Sequence, residues 1–153
     1  IYPLTAKDEL LLKTPDSLDL LLNFEANKTR VLRKICKKEL TFNWEELNLN
    51  IETIHPKKDI KWPKTDANIM YIQLAIANWN YEEDQFETQY SNIVSFEKTK
   101  EPQKLNWNIH TPTTHNLWIA YICISFAYKE RNKIKPVHRK FNTATILTYK
   151  TKH

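Results

Sequence analysis

Adjacent acidic side chains are the first residues of this sequence whose type could do chemistry. Glu45 and Glu46 are neighbours, and Glu82, Glu83 and Asp84 form a run of three. A pair of carboxylates can act as general acid and general base when both face one substrate. Neighbouring side chains point apart in a strand and do not face each other on a helix. These carboxylates therefore lack an identifiable partner, and the sequence predicts no catalytic residue.

The histidines also lack the spacing of a metal site. His110 and His115 are five residues apart across a proline, unlike the i, i+4 pair with which a helix presents two ligands to zinc. No serine lies in the context of a nucleophile elbow or a catalytic triad. We therefore expect a protein that is not an enzyme and that holds neither a metal nor a cofactor.

The sequence contains no glycine, where average usage of about 7% would give roughly eleven. Phosphate-binding loops need glycine for close approach of the backbone to the ligand, so Walker and Rossmann sites are excluded. Turns that require a positive φ must use another residue. We expect asparagine, present fourteen times, to fill those positions.

Positive charge is concentrated in the last part of the sequence. Residues 129–153 hold eight Lys or Arg against one acid, a local charge of +7, whereas residues 1–128 hold fifteen against seventeen, a charge of −2. Such a cluster can neutralise RNA phosphates with release of counterions, and an ordinary solubilising surface is the alternative. The candidate RNA-binding residues are Lys129, Arg131, Lys133, Lys135, Arg139 and Lys140.

Three tryptophans are flanked by asparagine, namely Trp44, Trp79 and Trp107. Exposed indoles in such a setting could stack on unpaired RNA bases. Each of them, however, falls on the apolar face of its predicted element. Packing in the core is therefore the favoured interpretation.

The elements that would position these residues are both helices and strands. Helices are expected over 6–13, 16–25 and 29–39, from caps and apolar stripes, and over 66–80, from helical spacing and three alanines. Alternating apolar residues predict strands over 40–51, 105–109 and 144–149. Residues 81–96 fit a helix at their acidic start and a strand at their end.

The run 117–128 is apolar except for one serine and must be buried. As a helix it would extend about 18 Å, against a membrane interior of about 30 Å, so we expect no transmembrane span. Its aromatic and β-branched residues also suit a central strand buried on both faces, but we interpret it as a helix. The expected fold class is α+β, with N-terminal helices followed by a small, mainly antiparallel sheet with one or two core helices. The expected domains are a mixed α/β core over 1–128 and a basic C-terminal segment over 129–153.

The composition also carries information about the gene. Nineteen Lys stand against four Arg, and fifteen Ile against three Val, the pattern of extreme A+T bias, because glycine, valine and most arginine codons are rich in G. The composition resembles that of proteins encoded in A+T-rich organelle genomes, particularly those of protist mitochondria. A nuclear or viral gene of similar bias is the alternative.

These features together predict a non-catalytic structural subunit of a large organellar assembly. The leading interpretation is a mitochondrial ribosomal protein on the matrix side, in contact with rRNA and with neighbouring protein subunits. One alternative is an accessory subunit of a respiratory-chain complex, with the basic segment against an anionic membrane surface. A second alternative is a small enzyme with an unrecognised site.

Overall fold

A computed structural model describes residues 21–22, 24–80, 82–109 and 116–151, with side chains for all of these except 50–52 and 104–108. Within these ranges nearly all regular structure is antiparallel β-sheet. The strands are β1 (Thr41–Asn43), β2 (Asn48–Ile54), β3 (Ile69–Asn80), β4 (Gln85–Tyr90), β5 (Val94–Glu97), β6 (Gln103–Asn108), β7 (Leu117–Glu130), β8 (Lys133–Pro136) and β9 (Thr143–Thr151). The helices are α1 (Leu32–Ile35) and α2 (Pro56–Asp59), and a 3₁₀ turn spans Arg139–Phe141.

The two longest strands form the centre of a six-stranded sheet. β3 and β7 pair without a break from Ile69 opposite Ala127 to Trp79 opposite Leu117. β5 and β4 pair with the first and second parts of β3, while β9 and β8 pair with the first and last parts of β7. A second sheet has the strand order β1-β2-β6.

The main apolar core is formed by one face of the central strands. Because side chains alternate along a strand, even-numbered residues of β3 and β7 share this face. They form one buried cluster with residues of the smaller sheet and of α1. Its fully or almost fully buried members include Met70, Ile72, Leu74, Ile76, Ala120, Ile122, Ile124, Phe126, Leu49, Ile54 and Ile35.

The helices predicted over 66–80 and 117–128 are wrong, because these segments are β3 and β7. Both strands have buried residues on both faces, and such a strand shows a continuous apolar run instead of an alternation. Ile72 and Ile76, four residues apart, would also share a face in a helix, so their spacing did not distinguish the two structures. No helix in the described ranges is long and apolar enough to cross a membrane.

The α+β fold class is also wrong, because the described chain is mostly β-sheet with two short helices and no core helix. The helix predicted over 29–39 is reduced to the single turn α1, and Cys36 directly after it bridges to Ile60. Of the helix predicted over 16–25, Glu25 instead bridges to Thr145; the rest, and the helix over 6–13, lie largely outside the described residues. The strands predicted over 40–51, 105–109 and 144–149 are confirmed as β1, β2, β6 and β9.

Hairpin turns without glycine are built in an unexpected way. Among the described residues, positive φ angles occur at Leu47, Asp84 and Arg131, so the prediction that asparagine fills these positions is wrong. Asparagine acts through its side chain instead. Oδ1 of Asn43 accepts hydrogen bonds from the backbone N–H groups of the second and third residues after it, and Oδ1 of Asn80 does the same. These hydrogen bonds start each turn, and neither asparagine needs a positive φ.

Candidate nucleic-acid interface

Four of the six predicted RNA-binding residues lie on the β7–β8 hairpin. The register places Tyr128 opposite Lys135. Because side chains alternate between the two faces of a ribbon, Lys133 and Lys135 lie on the face of Tyr128, and Lys129 lies on the other. Arg131 lies in the turn, with a φ of 55°. These four cations are exposed, so the hairpin carries positive charge on both faces and at its tip.

Arg139 and Lys140 lie elsewhere, in the 3₁₀ turn between β8 and β9. The side chain of Asn27 donates to the carbonyl oxygen of Lys140 at 2.8 Å, and the Lys140 ammonium lies 5.1 Å from the centre of the Phe141 ring. Both cations are exposed. The structure therefore places four predicted residues on the hairpin and the other two on a separate turn.

Asn68 joins the hairpin to the loop that follows β5. Its side chain donates to the carbonyl oxygen of Lys129 at 2.8 Å and accepts the N–H of Lys129 at 2.7 Å. Its own carbonyl oxygen accepts the N–H of Lys98 at 2.9 Å. Lys98 and Lys129 are thirty-one residues apart in sequence, yet Asn68 is hydrogen-bonded to the backbone of both.

The loop around α2 lies beside the same segment. The N–H of Lys57 donates to the carbonyl oxygen of Thr99 at 2.9 Å. The Lys98 ammonium lies 5.5 Å from the centre of the Trp62 ring, and the indole N–H of Trp62 donates to the Pro56 carbonyl oxygen at 2.8 Å. These contacts join the two loops to the end of the sheet where the hairpin begins. The two loops carry six exposed lysines: Lys57, Lys58, Lys61, Lys64, Lys98 and Lys100.

We call the four hairpin cations together with these six loop lysines the basic end. Its ten exposed cations have five acidic neighbours in the same segments, namely the buried Asp59 and the exposed Asp66, Glu97, Glu101 and Glu130, which leaves a net charge of +5. The sequence did not identify the loop lysines as a site, because single lysines and pairs of lysines occur on most protein surfaces. Only the strand register shows that the start of β3 and the ends of β5 and β7 meet.

Asp59 anchors the loop that carries four of these lysines. Its buried carboxylate accepts the backbone N–H of His55 at 2.7 Å and lies 3.5 Å from Nδ1 of the same residue. This backbone hydrogen bond is the main reason why the pKa of Asp59 lies below its usual value. A carboxyl with a lowered folded pKa stabilises the fold above its unfolded pKa of about 3.9, and that contribution disappears as pH falls through the folded value.

Replacing the charge with Asp59→Asn should lower the free energy of unfolding at pH 7 by about 1 kcal/mol, the usual size of a capping interaction. The difference from the wild type should shrink as pH falls below about 4, where the wild-type carboxyl becomes protonated. Urea denaturation at a series of pH values measures both effects. Asp66→Asn, at an exposed residue, is the matched control, and a difference that stays constant across this pH range would contradict the assignment.

Two of the three tryptophans beside asparagine are engaged within the protein. Trp79 is 3% exposed, and its ring stacks on Phe86 with centres 5.2 Å apart. Trp44 packs edge-on against Phe42, with ring centres 4.7 Å apart, and borders the core cluster. Core packing is confirmed for these two tryptophans, whereas the side chain of Trp107 lies outside the description.

Nucleophilic and metal-binding groups form no site in the described ranges. Cys36 and Cys123 are both free, and burial raises the pKa of each thiol, which disfavours the reactive thiolate. No group of three or more His, Cys, Asp or Glu residues in the described part of the chain is arranged to hold a metal ion. The basic end is thus the strongest concentration of functional chemistry among the described residues.

No family model, curated protein or solved structure matches the chain. The function has to be inferred from the chemistry of the surface.

Proposed function

We propose that this protein is a non-catalytic structural subunit of a large organellar assembly, namely a mitochondrial ribosome, and that its basic end contacts rRNA. The observation that carries the proposal is that backbone contacts join three separate stretches of sequence, which together carry ten exposed cations. Cations that neutralise phosphates gain affinity from the release of condensed counterions, so their number sets the strength of binding. Ten cations at one end of the protein are suited to bind a polyanion such as RNA.

The shape of the hairpin favours folded RNA over a membrane surface. A flat layer of anionic head groups is met by one face of a protein, and only the cations on that face gain from the contact. Lys129 and Lys133 lie on opposite faces of the ribbon, and Arg131 lies in its turn. A ribbon that is charged on both faces and at its tip can meet phosphates on several sides at once, as it would between the strands of a folded RNA.

The mitochondrial part of the proposal is supported by the sequence alone. The absence of glycine, together with the excess of Lys over Arg and of Ile over Val, is the pattern of A+T bias and resembles that of proteins encoded in A+T-rich organelle genomes. A protein made there would meet the ribosome in the matrix. Neighbouring protein subunits would contact the surfaces that the RNA does not cover.

Binding of the purified full chain to a folded ribosomal RNA fragment and to vesicles of anionic lipid tests the proposal. If about half of the basic end engages phosphates, log K should fall against log salt with a slope of about −4 to −5, since each duplex phosphate contributes about −0.9. In cells the protein should sediment with ribosomal subunits. Preference for vesicles, together with sedimentation with inner-membrane complexes, would instead support the respiratory-chain alternative.

A further inference from the structure

Among the described residues, the strand β4 lies at an edge of the larger sheet. It stands first in the order β4-β3-β7-β8, and among the described residues it pairs only with β3. Five of its six residues are exposed. Proteins usually block such an edge with lysine or proline, because its unpaired backbone groups can pair with another chain. β8 has both devices, with Lys133, Lys135 and Pro136, whereas β4 has neither.

Two aromatic side chains lie on one face of this edge, four residues apart. Phe86 is 59% exposed and Tyr90 is 57% exposed, and the register places both on the same face of β4, with Thr88 between them. Ile93, three residues after Tyr90, is 61% exposed. When a peptide adds to a sheet edge, backbone hydrogen bonds supply affinity and alternate side chains supply specificity. The spacing of Phe86 and Tyr90 fits apolar residues at alternate positions of an added strand.

The segment around β4 carries the opposite charge to the rest of the protein. Residues 67–96 contain no Lys or Arg and four acidic residues, a charge of −4, in a chain whose net charge is +5. Glu87 lies on β4, on the face opposite Phe86, and Glu82, Glu83 and Asp84 lie in the turn before it. This turn is at the far end of β3 from the basic end, about 40 Å away for a strand of this length.

We propose that β4 is a docking strand for an extended basic segment of a neighbouring protein. The added strand alternates apolar residues, which pack beside Phe86 and Tyr90, with Lys or Arg, which face Glu87 and the acidic turn. This contact is separate from the basic end and does not require that the basic end bind RNA. A polyanion would be repelled by the four acidic residues of β4 and the turn before it, so the partner at this edge is a protein.

The test uses the full chain and a synthetic peptide of eight residues in which lysine alternates with valine. Binding should slow hydrogen exchange at the amides of 85–90. Glu87→Lys should weaken binding roughly tenfold, because it replaces an attraction with a repulsion and places on β4 the residue that blocks other edges. Glu101→Lys makes the same charge change at another exposed glutamate and should leave the affinity unchanged.

A second pair of variants separates the apolar contact from the charge. Phe86→Ser should also weaken peptide binding, whereas Phe24→Ser, at a residue that is 54% exposed elsewhere, should not. The peptide with alternate backbone amides methylated should fail to bind, since it cannot complete the hydrogen bonds of a strand. Equal binding of the methylated peptide, equal loss in Glu87→Lys and Glu101→Lys, or a dimer of the chain itself with β4 protected would overturn the proposal.

Discussion

Replacing Lys129, Lys133 and Lys135 together with glutamine should lower the affinity for folded RNA about a hundredfold near physiological salt. Each lost phosphate contact removes about 0.9 from the slope of log K against log salt, so the slope should become less steep by about 2.7. All three side chains are exposed, and substitutions of this kind change stability by less than about 0.5 kcal/mol. Titration of a labelled RNA at several salt concentrations measures the affinity and the slope together.

Two matched triple variants make this result specific to the basic end. Lys28, Arg33 and Lys150 are also exposed but lie outside the basic end, and their replacement with glutamine should cost much less affinity. Replacing Lys57, Lys58 and Lys98 should cost about as much as the hairpin triple, although these residues are far from the hairpin in sequence. If all three triples lose the same affinity, binding follows net charge and the assignment of an interface fails.

The fold was predictable where one face of a strand is polar. In β1, Phe42 is buried while Thr41 and Asn43 are exposed, and that alternation identified a strand. In β7 the neighbours Ala120, Tyr121 and Ile122 are all buried, so the segment carried no periodicity from which its structure could be inferred. The pairing of β7 with β3 makes this segment a strand. The segment of β3 was also predicted as a helix, because it too is buried on both faces.

The candidate site was predictable only where its cations are close in sequence. Arg131, Lys133 and Lys135 lie within five residues, so their concentration was visible without a fold. Lys57 and Lys98 join them through hydrogen bonds of Asn68 and Thr99, and no local pattern predicts those contacts. The acidic stretch 67–96 was present in the sequence, but its significance depends on β4 being an edge strand, which is a property of the sheet.

The buried side chain of Arg30 connects elements that carry the basic end. The Arg30 side chain is 9% exposed; its Nε donates to the carbonyl oxygen of Phe141 at 3.2 Å, and one terminal nitrogen donates to that of Lys61 at 2.9 Å. The guanidinium also lies 5.4 Å from the centre of the Phe126 ring, which packs edge-on against Trp62. Arg30 therefore links the α2 loop, the 3₁₀ turn and β7, although burial lowers its pKa.

Arg30→Ala should lower the free energy of unfolding by about 3 kcal/mol, because two carbonyl oxygens lose a charged donor and Phe126 loses one of its packing partners. For a chain of this size that corresponds to a fall of about 6–12 °C in Tm. Arg30→Lys should recover only part of the loss, since one ammonium lacks the planar fork that reaches two acceptors. Arg33→Ala, at an exposed arginine three residues on, should stay within about 0.5 kcal/mol of the wild type. Equal stability of the Arg30 and Arg33 variants in calorimetry would show that Arg30 does not link these elements.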